Sequence, residues 1–164
     1  MRTFLIGLAI AFGLLVVVLF MGAMWIGLQI ESGAVPDTVI VSGEDLSEPA
    51  LEAINKAITL RPGETIAFFY STGVWDWEED GNLITNQRVV SYMQEEDGEL
   101  FVEEADYANI AEIETEFSDN WIEDTLVWIT PKEEEDFVIA LSIEEDLDHP
   151  AVEYIERKLE EAKQ

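Results

Sequence analysis

The chain has 164 residues, of which 36 are acidic and 8 are basic, so its formal net charge is −28. An excess of negative charge this large repels phosphate groups, which argues against nucleic acid and anionic lipid head groups as ligands. The sequence has no cysteine and one histidine, so neither a disulfide nor a zinc site built from these residues is available.

The first predicted element is a transmembrane helix over residues 4–30. Residues 4–28 carry no charged or polar side chain, and an uninterrupted apolar run of ~18 residues or more is typical of a membrane-spanning helix. A cleaved signal peptide is the alternative, but such peptides have an apolar core of only ~7–15 residues before a small-residue cleavage site. We therefore favour an uncleaved signal-anchor, with Trp25 near one membrane interface.

The charges on either side of this helix predict its orientation. Arg2 precedes the helix, whereas every charged side chain between the helix and Lys56 is acidic. Basic residues beside a membrane helix stay on the cytoplasmic side. We expect residues 1–3 in the cytoplasm and the remaining domain on the periplasmic or outer face.

Residues 31–62 are predicted to form a spacer that contains a short amphipathic helix. Ser47 is the expected N-cap, with Pro49 in the first turn. One apolar helical face follows, made of Leu51, Ile54 and Ile58. Residues 38–41 can add a short strand.

The remaining residues, 63–164, predict a mainly β domain closed by a helix. Alternating or β-branched segments predict seven antiparallel strands at residues 65–71, 83–85, 88–93, 100–102, 111–117, 125–130 and 137–143. In the fifth of these, Glu112, Glu114 and Glu116 alternate with apolar residues, which favours a strand with one wet face over a helix. A C-terminal amphipathic helix is expected after an Asp148 cap.

This order of segments resembles the bacterial pleckstrin-homology (PH-like) domain family. The resemblance covers residues 63–162 and implies a seven-stranded, partly open barrel plugged by the last helix. It also implies binding or assembly rather than catalysis, and a structural ion pair for Arg88. The positions that match the family pattern are Gly63, Glu64, Ile66, Leu83 or Ile84, Thr85, Arg88, Val89, Tyr92, Tyr107, Ile110 and Ile113.

The loop after the first of these strands departs from PH domains that bind phosphoinositides. Such domains carry basic residues there, whereas this loop carries Asp76, Glu78, Glu79 and Asp80 and no base. Phosphoinositide binding is therefore not expected. The acids resemble the start of a calcium loop, but its closing position is Gln87, so a solvated loop is the favoured interpretation.

Trp75 and Trp77 are the candidate binding residues. Alternate residues in an extended loop share one face, and a tryptophan pair there can bind a peptide or a sugar. The alternative is that one of the two covers the core. His149, beside Asp148, is interpreted as a neighbour of a helix start.

No Gly-x-Ser-x-Gly, HExxH or Walker-type motif is present, so the sequence predicts no catalytic residue, no cofactor and no metal. The predicted function is a single-pass, membrane-anchored PH-like module in protein interaction or membrane-complex assembly. The expected partners are the lipid bilayer and a protein or a second copy of the chain. The alternative is an acidic cation-binding or surface protein without a specific protein partner.

Overall fold

The computed structural model describes residues 2–31, 39–73, 76–120 and 122–164. The helices within these residues are α1 (Arg2–Glu31), α2 (Glu48–Ala57) and α3 (Asp148–Ala162). The strands are β1 (Val41–Ser42), β2 (Ile66–Tyr70), β3 (Asp80–Thr85), β4 (Arg88–Gln94), β5 (Leu100–Asp106), β6 (Ile110–Glu116), β7 (Thr125–Pro131) and β8 (Phe137–Leu141).

The described strands form two antiparallel sheets. Strands β1 to β5 pair in sequence order in a five-stranded sheet, and β6 to β8 form a three-stranded sheet. A short 3₁₀ turn, Tyr107–Asn109, carries the chain from the first sheet to the second. The Tyr107 hydroxyl donates to the Thr85 carbonyl at 2.7 Å, which ties this turn back to β3.

The centre of the five-stranded sheet is buried on both faces, whereas Met93, Phe101 and Val102 near its β4–β5 end are exposed. Ile84 and Val89 face a core shared with the three-stranded sheet and α3, whereas their chain neighbours Leu83 and Val90 face a second core covered by α2. Successive strand residues point to opposite faces. Val89 and Val90 are adjacent in β4 and both fully buried, because each faces a different core.

The three-stranded sheet has one buried face and one exposed face. Val127 and Ile129 are fully buried, whereas Trp128 between them is 45% exposed. The glutamates of β6 lie on the same outer face as Trp128, since Glu114 is its direct cross-strand partner. The inner face packs on α3 through Val152, Ile155 and Leu159.

The structure corrects the predicted sheet arrangement. The seven predicted strands correspond to β2 to β8, but they lie in two sheets rather than one, and β1 brings the number of described strands to eight. β1 is only two residues long and pairs Val41 with Phe69. It overlaps the short strand that the sequence allowed at residues 38–41 only at Val41.

The first helix covers the predicted membrane segment, residues 4–30. α1 is a continuous helix of 30 residues. Its described large apolar side chains, from Phe12 to Leu28, are exposed. Within the stretches whose side chains the structure describes, no helix meets the length and apolarity needed to cross a membrane.

The predicted helix starts are right in one case and wrong in the other. The Ser47 hydroxyl accepts a hydrogen bond from the Ala50 amide at 3.2 Å, so Ser47 caps α2 as expected. Asp148 does not cap α3. It is the first helical residue after Leu147, and its buried carboxylate accepts the Thr125 hydroxyl at 2.7 Å.

Candidate functional site

The predicted tryptophan pair does not present Trp77 to solvent. Trp77 is only 6% exposed and belongs to the core between α2 and the five-stranded sheet. Its ring lies 5.5 Å from the Phe69 ring. The expected exposed position of Trp77 is therefore wrong, and the alternative, in which this residue covers the core, is what the structure shows. Trp75 lies outside the described residues, so its role in binding stays a prediction.

Tyr92 holds the backbone of Trp77 in place. Its hydroxyl donates a hydrogen bond to the Trp77 carbonyl. Burial, followed by the charges of Asp80, Asp76 and Glu78, raises the pKa of Tyr92, so the hydroxyl remains a donor at all physiological pH values. Among the described residues, the Trp77 indole Nε1 is buried without a hydrogen-bond acceptor. These contacts make Trp77 a packing residue.

Local contacts occupy the acidic loop that begins at residue 71. The Asp80 carboxylate accepts hydrogen bonds from the Ser71 hydroxyl at 2.6 Å, from the Gly73 amide at 3.0 Å and from the Thr72 hydroxyl. Glu78 pairs with Lys56 at 3.3 Å. No group of three or more metal-ligating side chains is assembled within the described part of the chain. The Asp80 carboxylate is thus used in hydrogen bonds within the loop.

Arg88 and Glu64 form the buried polar centre of the domain. Arg88 Nε lies 2.8 Å from Glu64 Oε1, and its Nη2 lies 3.1 Å from Oε2. Thr85 and the Arg61 amide also donate to this carboxylate, at 2.9 and 2.7 Å. Four donors for one carboxylate satisfy a buried charge, which is otherwise costly. The structural ion pair implied by the resemblance is thus present.

Two further carboxylates extend this cluster to the surface. Glu104 contacts both Arg88 and Arg61, and Asp106 contacts Arg61. A cleft of about 310 Å³ opens beside Arg61 and is lined in addition by Glu104, Asp106, Lys132, Glu133 and Glu134. Because acids outnumber bases there, and because Arg61 is already paired, the cleft does not suit a phosphate.

The only histidine of the sequence stacks on an aromatic ring. The centroids of the His149 and Phe117 rings are 4.2 Å apart, and the ring planes are nearly parallel, with an angle of 10° between them. This contact joins the start of α3 to the residue that follows β6. It fits the interpretation of His149 as a neighbour of a helix start.

Sequence reasoning missed the exposed surface around Trp128. The residue was interpreted only as part of a strand, yet its alternation with Val127 and Ile129 places it on the opposite face. Its neighbours across the sheet are Glu114 and Val138. The strict period of two was the signal that could have found it.

Two crystal structures resemble this arrangement of two sheets and a terminal helix. One is a DUF1696 family protein with a pleckstrin-homology domain from Shewanella loihica PV-4, with a TM-score of 0.52 and 17% sequence identity; the match covers 74% of this chain and 96% of that one. The other is a pleckstrin homology domain from Shewanella amazonensis SB2B, with a TM-score of 0.50 and 18% identity, covering 73% and 91% of the two chains.

The chain has the bacterial pleckstrin-homology fold. At this level of identity the likeness concerns the fold alone. No protein-family model and no curated protein matches the sequence.

In the PH-like domain, the residues that matched the family pattern are mostly structural. Val89 lies in one core and Tyr92 in the other. Tyr107, in the turn between the sheets, donates a hydrogen bond to the Thr85 carbonyl. Glu64 and Arg88 pair inside the domain. These positions are therefore used in the fold itself.

Proposed function

We propose that this chain is a single-pass, membrane-anchored PH-like module that acts, without catalysis, in protein interaction or membrane-complex assembly. The observation that carries the proposal is the combination of a PH fold with an N-terminal helix whose residues 4–28 carry no charge. The alternative is an acidic cation-binding or surface protein without a specific protein partner.

The anchor is supported by the length and sequence of α1. At a rise of ~1.5 Å per residue, its 30 residues extend about 45 Å, against a hydrocarbon core of ~30 Å. A helix that is apolar on all sides cannot present a polar face to water. Trp25, 60% exposed, suits an interfacial position near one end of this segment.

The experiment for the anchor is extraction of the full chain from membranes at alkaline pH. The wild-type chain should stay in the membrane pellet. Val16→Arg places a charge in the middle of α1 and should shift the chain toward the soluble fraction, whereas Val16→Leu should not. Complete extraction of the wild-type chain would contradict the anchor.

The proposed orientation places the PH-like domain on the periplasmic or outer face. Arg2 supports it, since no base follows α1 before Lys56. A C-terminal alkaline phosphatase fusion should be active and a C-terminal GFP fusion dark. In Arg2→Gln, the preference for this orientation should be weaker, so phosphatase activity should fall and GFP fluorescence should rise. A bright GFP fusion with inactive phosphatase would reverse the orientation.

A binding role without catalysis is supported by how the polar groups are used. The hydrogen bond with Asp106 raises the pKa of Arg61. Burial raises the pKa of Glu64, but hydrogen bonds, the strongest from Arg88, bring it below its ordinary value, so both shifts arise within the ion cluster. The tyrosines Tyr92 and Tyr107, whose pKa values burial raises, donate to backbone carbonyls. With these groups committed to structure, we propose a surface role for the domain.

The two candidate functions predict different results for crosslinking and for addition of a chelator. Crosslinking of the full chain in its membrane should give a discrete product with a partner protein or a second copy. The cation-binding alternative instead predicts no such product and a melting temperature that falls when a chelator is added.

A further inference from the structure

The outer face of the three-stranded sheet has no covering element among the described residues. In the five-stranded sheet, by contrast, α2 packs on the outer face through Ala50 and Ile54, which are fully buried. In the three-stranded sheet, α3 packs on the inner side, so the outer side faces solvent. The two sheets of the sandwich therefore differ: α2 covers the centre of the outer face of one sheet, whereas no described element covers the outer face of the other.

Trp128 lies in the middle of this open face. Its cross-strand neighbours are Glu114 on β6 and Val138 on β8. The indole is 45% exposed although the residues on either side of it in β7 are fully buried. We call this surface, made of Glu112, Glu114, Glu116, Trp128 and Val138, the Trp128 face.

The three carboxylates of the Trp128 face make no ion pair with another described residue. Glu112, Glu114 and Glu116 are all exposed, and among the described residues none of them is in an ion pair or a side-chain hydrogen bond. Alternate residues of a strand lie about 7 Å apart on the same face. The face thus presents a row of evenly spaced negative charges beside a large aromatic ring.

We propose that the Trp128 face binds an extended segment of a partner protein in which Lys or Arg recurs at every second position. A guanidinium or ammonium group stacks on the Trp128 ring, and neighbouring basic side chains pair with the glutamate row. Charge complementarity selects this occupant, because the same carboxylates repel an anionic lipid surface. This inference rests on the proposed role in protein interaction and names the surface and the chemistry of the partner.

The first test uses the full chain in a neutral detergent and a peptide in which Arg and Thr alternate over ten residues. A peptide of equal composition with its five Arg in one block is the charge-matched control. The alternating peptide should bind more tightly, because only its spacing matches the sheet. Equal affinities that change equally with salt would show unspecific attraction to an acidic protein and would overturn the proposal.

Variants then locate the site. Trp128→Ala should weaken binding of the alternating peptide about 2- to 30-fold, the range expected for a lost cation–π contact. Phe101→Ala removes a similarly exposed ring, 49% against 45%, from the other sheet and should change affinity less than about 2-fold. Equal effects of the two substitutions would contradict the assignment of the site.

A second pair of variants separates local from overall charge. Glu114→Gln and Glu160→Gln each remove one exposed carboxylate, the first from the Trp128 face and the second from α3. Only Glu114→Gln should weaken peptide binding appreciably. The melting temperatures of all four variants check that each one folds.

Failure of the Trp128 face as a docking surface and failure of the proposed function give different results. If the chain stays anchored and crosslinks to a partner but Trp128→Ala leaves that crosslink unchanged, the Trp128 face is not the docking surface and the assembly role stands. If no crosslinked product forms at all, the proposed function fails first.

Discussion

Arg88 and Glu64 meet as a two-point ion pair at the centre of the domain, with Nε–Oε1 and Nη2–Oε2 distances of 2.8 and 3.1 Å. Arg88 lies at the start of β4, and Glu64 lies in the turn before β2. Because Glu64 also accepts from Thr85 on β3, the pair ties together the start of β2, the end of β3 and the start of β4. The predicted consequences concern stability rather than ligand binding.

Arg88→Met should destabilise the domain by about 3–5 kcal/mol, because the Glu64 carboxylate then remains buried without its cation. Adding Glu64→Gln to Arg88→Met should recover part of that loss, since the amide is neutral. Urea unfolding of the full chain in detergent measures both. Lys56→Met, which breaks the exposed pair with Glu78, is the control and should cost less than about 1 kcal/mol. Equal losses for the two pairs would contradict this account.

Acid should weaken the fold through Glu64. Burial raises the pKa of this carboxyl, but the hydrogen bonds from Arg88, the Arg61 amide and Thr85 together bring it below its ordinary value. A carboxyl with a lowered folded-state pKa contributes stability above its unfolded pKa, about 4.3, and loses it as the pH falls through the folded value. Glu64→Gln should therefore unfold with a shallower pH dependence below about pH 4 than the wild-type chain.

Asp124 should act in the opposite direction. Burial raises its pKa, although the Tyr70 hydroxyl donates to it at 3.0 Å and lowers it in part. A raised pKa means that folding favours the protonated carboxyl, so its contribution is present at low pH and lost as the pH rises through the folded value. Asp124→Asn should thus gain stability relative to wild type between about pH 3 and pH 7. A difference that does not change over this range would contradict the prediction.

Trp77 and Trp128 should respond very differently to truncation. Trp77→Ala leaves a large cavity between α2 and the sheet and should cost about 3–5 kcal/mol of unfolding free energy. Trp128→Ala removes a half-exposed ring and should cost no more than about 1 kcal/mol. If Trp77→Ala proved as mild as Trp128→Ala, Trp77 would not be the core residue described above.

Gly43 should tolerate no side chain. A Cβ added there would lie 1.9 Å from the Ile66 carbonyl oxygen, which is backbone and cannot rotate away. Gly43→Ala should therefore displace β1 from β2 and cost about 1–3 kcal/mol. Gly98, at φ +87° with open space around it, is the comparison, and Gly98→Asn should cost less than about 1 kcal/mol because Asn adopts such angles. Hydrogen exchange of the Gly43 amide, which bonds the Ala67 carbonyl, reports the displacement.

Salt should stabilise the domain, since a net charge of −28 opposes compaction. The Debye length falls from ~10 Å at 0.1 M to ~3 Å at 1 M salt, so the chain should melt at a higher temperature in 1 M than in 20 mM NaCl. CaCl₂ at matched ionic strength should add nothing further, because the Asp80 oxygens are already bonded within the loop. A calcium-specific rise, abolished by Asp76→Asn with Asp80→Asn, would favour the cation-binding alternative.

Local sequence patterns predicted most of the elements. The alternation of glutamates in residues 111–117 correctly predicted a strand, β6, rather than a helix. Ser47 was the correct cap because its bond is made within the first turn of α2. Each of these signals depends only on residues close in the chain.

Long-range contacts decided what the sequence could not predict. β5 runs on through Asp106, because Glu104 and Asp106 find partners in Arg61 and Arg88 from distant segments. Trp77 is buried because α2 and Phe69 converge on it. The open face around Trp128 depends on α2 covering one sheet while no described element covers the other. Neither the partners of Glu104 and Asp106 nor the burial of Trp77 leaves a local signature, whereas the alternation in β7 marks Trp128 as outward-facing without showing whether that face is covered.

The position of α3 also sets the order in which the domain can mature. The core between the sheets combines Ile84 and Val89 with Val127 and, from α3, Ile155 and Leu159. A polypeptide synthesised from its amino end exposes the first two long before the last two exist. The core between the sheets stays exposed until Leu159 has been synthesised. The nascent domain therefore passes through a stage with exposed apolar sheet faces, to which a translocation channel or a chaperone can bind.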